Sequence, residues 1–293
     1  MGGFIWGFTG VEGSGKSCAM TGKALEHCIL TAQHFGFRTA EAYCADPNHK
    51  KPVYCFDGFE LHGKKGTALE QIKLSETIDT AKWLGNFGDD MYKNIVVCID
   101  EVQNVMDSSQ SGSVFARLLN HAMAQRRRAG IALMYTLQNW EWLHKRLRWS
   151  THYLSVCRDL SRTHWGKENG VKKGEILHLT TYDCKGFLTG REWAKLPSYR
   201  IKGAKIWPHY DSFAPASLVE TQTMVKKQVQ MIDWSDMGDI KSSDPEYDPY
   251  MRNQEIGRQQ MEKDELEFEN NDFNKVEFRD DWFSRRQRMM NSK

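Results

Sequence analysis

The sequence predicts an α/β fold: a mostly parallel central sheet flanked by helices, followed by a small β-rich appendage and a flexible, charged C-terminal tail. Three observations predict it. Gly10-Val11-Glu12-Gly13-Ser14-Gly15-Lys16-Ser17 lies between an apolar run at 4–9 and a helix-forming run at 18–30. Strand, glycine-rich turn and helix in that order form the opening unit of a parallel sheet. Residues 94–99, Asn-Ile-Val-Val-Cys-Ile, precede Asp100 and Glu101 and are too apolar for an edge strand. Such a run suits a central parallel strand covered on both faces. Beyond Asp159 the texture changes to short strand-like runs with Gly-rich turns.

The elements follow in order. Residues 1–30 read as strand, loop and helix. In 31–92, 52–56 is a strand, 69–74 irregular or short helix, and 78–84 a helix. Residues 94–100 form the aspartate strand. Residues 113–128 form a helix whose apolar stripe is Val114, Leu118, Leu119 and Ala122. Residues 131–137 form a second core strand, 143–147 begin a short helix, and 151–157 form a third strand ending at Arg158-Asp159. Short strands at 176–182 and 186–189 continue toward Trp207. Residues 233–293 are polar, charged and Gln/Asn-rich, with a helix possible only at 253–268. The predicted domains are a core at 1–160, the appendage at 161–232 and the tail at 233–293.

The glycine-rich segment matches G-x-x-x-x-G-K-[ST] at every fixed position, which makes the expected core a P-loop NTPase. Gly10, Gly13 and Gly15, with Ser14 among them, let the backbone curl so that its N–H groups point inward at phosphate oxygens. The helix N-terminus adds partial positive charge there. Lys16 is expected to reach the β- and γ-phosphates of ATP, and Ser17 to ligate Mg2+. Asp100 stands where an open α/β sheet places its ligand and is the second expected Mg2+ residue. Glu101 is expected to polarise the attacking water as general base.

The block Ala124-Gln125-Arg126-Arg127-Arg128-Ala129-Gly130-Ile131 leads into a strand ending Thr136-Leu137-Gln138. An amide at that strand's tip is expected to sense the γ-phosphate. A solvated helix terminus would equally account for the arginines. On Arg127, Gly130, Ile131, Thr136 and Gln138 the block resembles the FtsK–HerA superfamily of DNA-pumping ATPases. Within it the chain resembles Zot-like ATPases and the genome-packaging ATPases of tailless viruses. Residues 205–213, Lys-Ile-Trp-Pro-His-Tyr-Asp-Ser-Phe, are similar to the Tyr-Asp-[ST] ending of the Zot-like domain. The resemblance covers about residues 1–215. It implies an ATP-hydrolysing DNA translocase, acting as a homo-oligomeric ring, with a hexamer expected. An arginine acting in trans, Arg127 or Arg128, would complete a neighbour's site.

Zot-like assembly proteins usually carry a membrane-spanning helix after the ATPase domain. A span needs about 20 mostly apolar residues, and no such run is present here. The N-terminus enters a strand without a basic region, so no signal peptide is expected. The expectation is therefore a packaging motor in the host cytoplasm or associated with virions, contacting DNA and capsid or vertex proteins. The alternatives are a Zot-like virion assembly or export ATPase acting at a membrane, and a P-loop nucleotide kinase.

Charge is segregated although the net value is only +2. Residues 117–173 hold twelve Lys or Arg against three acids, Glu141, Asp159 and Glu168. With Trp140, Trp142, Trp149 and Trp165 interleaved, this band suits sequence-independent contact with a phosphate backbone. Solvated charge and subunit interfaces are the alternatives. From Asp233 onward sixteen acids outnumber ten bases. Seven cysteines without close pairs imply a reducing compartment. The loose cluster of Cys44, His49 and Cys55, near His27 and Cys28, lacks the paired spacing of structural zinc.

Overall fold

In the computed structural model the described residues are 3–56, 59–78, 92–104, 126–185 and 193–210. In chain order they form β1 (Ile5–Thr9), α1 (Lys16–His34), α2 (Ala40–Ala45), β2 (Val53–Cys55), β3 (Ser75–Thr77), β4 (Val96–Ile99) and β5 (Ala132–Leu137). There follow α3 (Lys145–Ser150), β6 (Tyr153–Asp159), α4 (His164–Glu168), β7 (Ile176–Asp183), β8 (Ala194–Lys195) and β9 (Tyr199–Lys202).

All nine of these strands join one sheet, in the order β3-β2-β4-β5-β1-β6-β7-β8, with β9 also on β7. From β3 to β6 every pairing is parallel. β7 runs antiparallel to β6, β8 and β9. The β-rich segment after residue 160 thus extends the same sheet. Every residue of β4 and β5 is buried, as continuous apolar runs require when both faces are covered.

Two cores lie on the two faces. Val97, Ile99, Leu133, Tyr135, Leu137 and Tyr182 fill one. Val96, Cys98, Met134, Cys157, Leu179 and the buried side of α1 fill the other. Alternation along each strand sorts the side chains between them. β1 meets β5 so closely that a Cβ on Gly7 would lie 2.8 Å from the Tyr135 ring. That tyrosine is fully buried, and its hydroxyl meets Thr151 Oγ1 at 2.7 Å. α1 lays Cys18, Ala19, Met20, Ala24, Leu25 and Cys28 against the sheet. Burying each of the larger side chains is worth about 1.5–3 kcal/mol.

Most elements begin and end within a few residues of expectation. Among those not expected are β3, α2 and α4. β3 reads Ser-Glu-Thr, with two of its three residues exposed, and its parallel register on β2 makes it a strand. α2 starts where Thr39 Oγ1 accepts the Ala42 N–H at 3.1 Å. Of the helix expected at 113–128, only 126–128 are described, and they are helical, as is Ala129. Its apolar stripe, nearly all of 78–84, the run 186–189 and the tail 233–293 lie outside the described residues.

Candidate active site

β1 ends at Thr9 and the glycine-rich loop follows it to α1. Gly13 and Gly15 adopt φ of 69° and 86°, the left-handed region that L side chains rarely enter. Gly15 begins α1 without a side-chain cap, so the helix offers its first N–H groups to the loop interior. Ser14 is 2 % exposed, and its Oγ has no hydrogen-bond partner among the described residues. A buried hydroxyl without a partner at the start of a helix fits an anionic oxygen.

Lys16 is 6 % exposed, with Nζ 3.3 Å from Val11 O and 3.8 Å from Glu101 Oε1. Ser17 Oγ donates to Asp100, 2.9 Å from Oδ1 and 3.2 Å from Oδ2. β4 and β1 are not adjacent; β5 lies between them and supplies the connection. Thr136 Oγ1 donates to Asp100 Oδ1 at 2.6 Å and accepts the Glu101 N–H at 2.8 Å. One hydroxyl therefore holds both acidic residues. Glu101 lies at φ 49°, one of two non-glycine residues with positive φ among those described. That conformation costs on the order of 1 kcal/mol or more and persists only where neighbours fix it. Here the Thr136 bond fixes its backbone, and the Gln103 amide donates to its carboxylate.

Lys16, Ser17, Asp100 and Glu101 thus converge as one polar cluster at the carboxyl end of the sheet. Thr136 and Gln103 join it. Thr136 was visible only as part of a pattern; its role needed the β4–β5 register, which places it beside the aspartate turn. Gln138 stands exposed just beyond β5. Arg127 and Arg128 are exposed and precede β5, so they lie at the amino end of the sheet. The six residues of β5 separate them from the loop's edge by about 20 Å, at roughly 3.3 Å per residue.

The basic band accordingly divides. Arg127 and Arg128 mark one edge; exposed Arg162, Lys167, Lys172 and Lys173, between β6 and β7, mark the other. Its aromatics are mostly structural. Trp140 and Trp149 pack on a core cluster, Trp165 lies under Arg200 at 5.0 Å, and Trp142 is 51 % exposed. Among the described residues no group of His, Cys, Asp or Glu is arranged to hold a metal ion by itself. Burial pushes the Cys44 thiol up to about 11. No described helix is long and apolar enough to cross a membrane.

The loop and the parallel order β4-β5-β1-β6 define an α/β fold of the P-loop type, with β1 inside the sheet and its ligand edge at the strands' carboxyl ends. No known family and no curated protein matches the sequence. Solved structures similar to this chain include the N-terminal domain of zonular occludens toxin from Neisseria meningitidis. It is 15 % identical, covers 72 % of this chain and 100 % of that one, and has a TM-score of 0.40. Another is B204, the DNA-packaging ATPase from Sulfolobus turreted icosahedral virus, at 15 % identity, 67 % and 98 % coverage and TM-score 0.38. The genome-packaging NTPase B204 of the second such virus, in complex with AMPPCP, aligns at 17 % identity, 66 % and 96 % coverage and TM-score 0.37.

Proposed function

We propose that the chain is an ATPase that couples hydrolysis to DNA translocation, as a viral genome-packaging motor working in the host cytoplasm or on the virion. The observation that carries the hydrolytic reading is the Ser17–Asp100–Thr136–Glu101 chain of hydrogen bonds beside Lys16. It sets two oxygen donors and a separate carboxylate at the mouth of a phosphate loop. The hard oxygens of Ser17 and Asp100 suit Mg2+, which would neutralise phosphate charge when bound. Gly10, Gly13, Ser14 and Gly15 form the cradle for the phosphates, in which the Ser14 N–H is held by Val11 O while its buried hydroxyl is left for a phosphate oxygen, and Lys16 supplies a fixed positive charge. Glu101 takes the proton from the attacking water. Thr136 fixes the Asp100 carboxylate and the Glu101 backbone.

Coupling to DNA rests on the exposed basic side chains and on Gln138, which follows the strand that carries Thr136. Loss of the γ-phosphate at the site would be passed through Gln138 to the basic segment after it. Arg127 and Arg128 stand too far from their own loop to serve it, so either acts only on a neighbouring subunit. That requires a homo-oligomeric ring, taken to be a hexamer, which would dock on capsid or vertex proteins.

The test is steady-state ATP hydrolysis by the full chain, with and without double-stranded DNA, beside Glu101→Gln. The expected result is stimulation by DNA, with hydrolysis in the variant reduced by about 10²–10⁴-fold. Hydrolysis indifferent to DNA would remove the motor reading and favour virion assembly at a membrane. Full activity in the variant would remove Glu101 as base.

A further inference from the structure

The connection between β6 and β7 leaves the sheet at the same edge as the phosphate loop and packs directly on it. A Cβ on Gly15 would meet Leu177 Cδ1 at 2.5 Å, and one on Gly10 would meet Cys157 O at 2.6 Å. A Cβ on Gly13 would lie 2.6 Å from Arg162 Nη2 and 3.9 Å from Lys173 Cε. Two cationic side chains therefore crowd the outer side of the loop's middle glycine, three residues before Lys16. Among the described residues the Arg162 guanidinium has no hydrogen-bond or carboxylate partner.

The turns that carry both cations are anchored by one acid. Asp159 ends β6 and is 3 % exposed. Its Oδ1 accepts the Ser161 N–H at 3.0 Å, and its Oδ2 accepts the Gly174 N–H at 2.7 Å. The first bond caps the turn that carries Arg162; the second ties down the turn that carries Lys173. A carboxylate buried this deeply is tolerable because backbone donors satisfy it. Placing two like charges together is unfavourable unless an anion lies between them. The phosphate chain of a nucleotide in the loop is such an anion, with Lys16 on its inner side.

We propose that Arg162, seconded by Lys173, contacts the phosphates of a nucleotide bound by the same chain, and that Asp159 is the positioning residue that holds both over the loop. This rests on the nucleotide reading of the loop. It adds an arginine supplied in cis from the antiparallel edge, in contrast to Arg127 and Arg128, which can serve only a neighbour.

The experiment titrates fluorescent N-methylanthraniloyl-ADP with Mg2+ into full-length wild type, Arg162→Gln, Lys173→Gln, Asp159→Asn and Lys16→Ala. Arg162→Gln is expected to weaken binding about tenfold, as for loss of a charge-assisted hydrogen bond, and Lys173→Gln about threefold. Both losses should shrink at high salt. Asp159→Asn separates position from charge. Removing an acid makes the site more positive, so electrostatics alone would tighten binding; a positioning role weakens it about fivefold or more. Melting curves on each variant set the assay temperature below unfolding. Wild-type affinity in Arg162→Gln, with binding lost in Lys16→Ala, overturns the proposal and leaves the nucleotide reading standing. Tighter binding by Asp159→Asn overturns its positioning role. Failure of the wild type to bind the probe overturns the nucleotide reading itself.

Discussion

At the carboxyl ends of the parallel strands, Lys16, Ser17, Asp100, Thr136 and Glu101 hold one another through short polar contacts, and Arg162 and Lys173 lie just outside. At the amino ends, Arg127 and Arg128 stand exposed, while Arg126 is buried beside His152, with Nη2 3.1 Å from Nε2. One edge is organised around a ligand within the chain. The other offers charge outward and keeps its internal polar groups for architecture. The difference follows from strand direction: a parallel sheet gathers its strand-to-helix turns on one side, and all the loop-borne chemistry gathers with them. Basic residues adjacent in sequence are therefore divided between two jobs.

The largest effect expected from this contrast is on the amino edge. Replacing Arg127 and Arg128 together by Ala should reduce hydrolysis by roughly 10³-fold or more if either completes a neighbour's site. Affinity for nucleotide should not change, because neither side chain reaches its own loop. Mixing this double variant with Lys16→Ala chains should restore part of the activity, since each supplies what the other lacks. Equal loss of affinity in the double variant would break the distinction between the edges. Unchanged hydrolysis would confine these arginines to the surface.

Next comes Thr136, which belongs to the carboxyl edge and holds Asp100 and the Glu101 backbone there. Thr136→Val removes the donor to Asp100 and leaves the Glu101 N–H without its acceptor. We expect kcat to fall about 10–100-fold, the usual cost of losing a group that orients a catalytic one. Stability should fall by about 1–3 kcal/mol for the unsatisfied N–H. Thr136→Ser keeps the hydroxyl and should recover most of both. A fall in kcat with Ser as deep as with Val would mean that packing, rather than the hydroxyl, matters at this position.

The loop and the aspartate strand were legible because their chemistry is local: eight residues spell a phosphate cradle, and a run of Ile and Val spells a buried strand. Thr136 was not legible as a site residue, because its partners are 35 and 36 positions away and meet it only through sheet register. Arg162 was counted with Arg127 and Arg128 in one basic band for the same reason. Charge counting ignores which end of a strand each residue flanks. β3 escaped notice because Ser75, Glu76 and Thr77 carry no apolar pattern and owe their conformation to pairing with β2. The tryptophans of the band read as a nucleic-acid surface in sequence. Three of the four instead pack inside or under other groups, since large aromatic area is usually buried when a core is near.

The smallest effect concerns His152 at the amino edge. Burial, helped by the neighbouring Arg126, lowers its imidazole from 6.5 to about 4. Arg127 and Lys185 push it the same way, and only Asp183 opposes them. Its Nδ1 lies 2.9 Å from the Ile5 backbone N, so a proton there would displace a contact at the start of β1. Because the folded pKa is the lower one, the unfolded chain takes up the proton first. The stabilisation is complete above pH 6.5 and is lost as pH falls toward 4. A fully shielded group would lose about 1.4 kcal/mol per pH unit in that window. His152 is only half buried, so solvent screening reduces this to about half or less. Burial also lowers His27 to about 4 and His178 to about 3, so both add to the total slope. Urea unfolding at pH 7.0, 6.0 and 5.0 for wild type and His152→Gln isolates its share. The variant should be less stable than wild type at pH 7 and should close part of that gap by pH 5. Parallel curves would mean that His152 gains its proton equally in both states, and that the amino edge is as solvated as its exposed arginines.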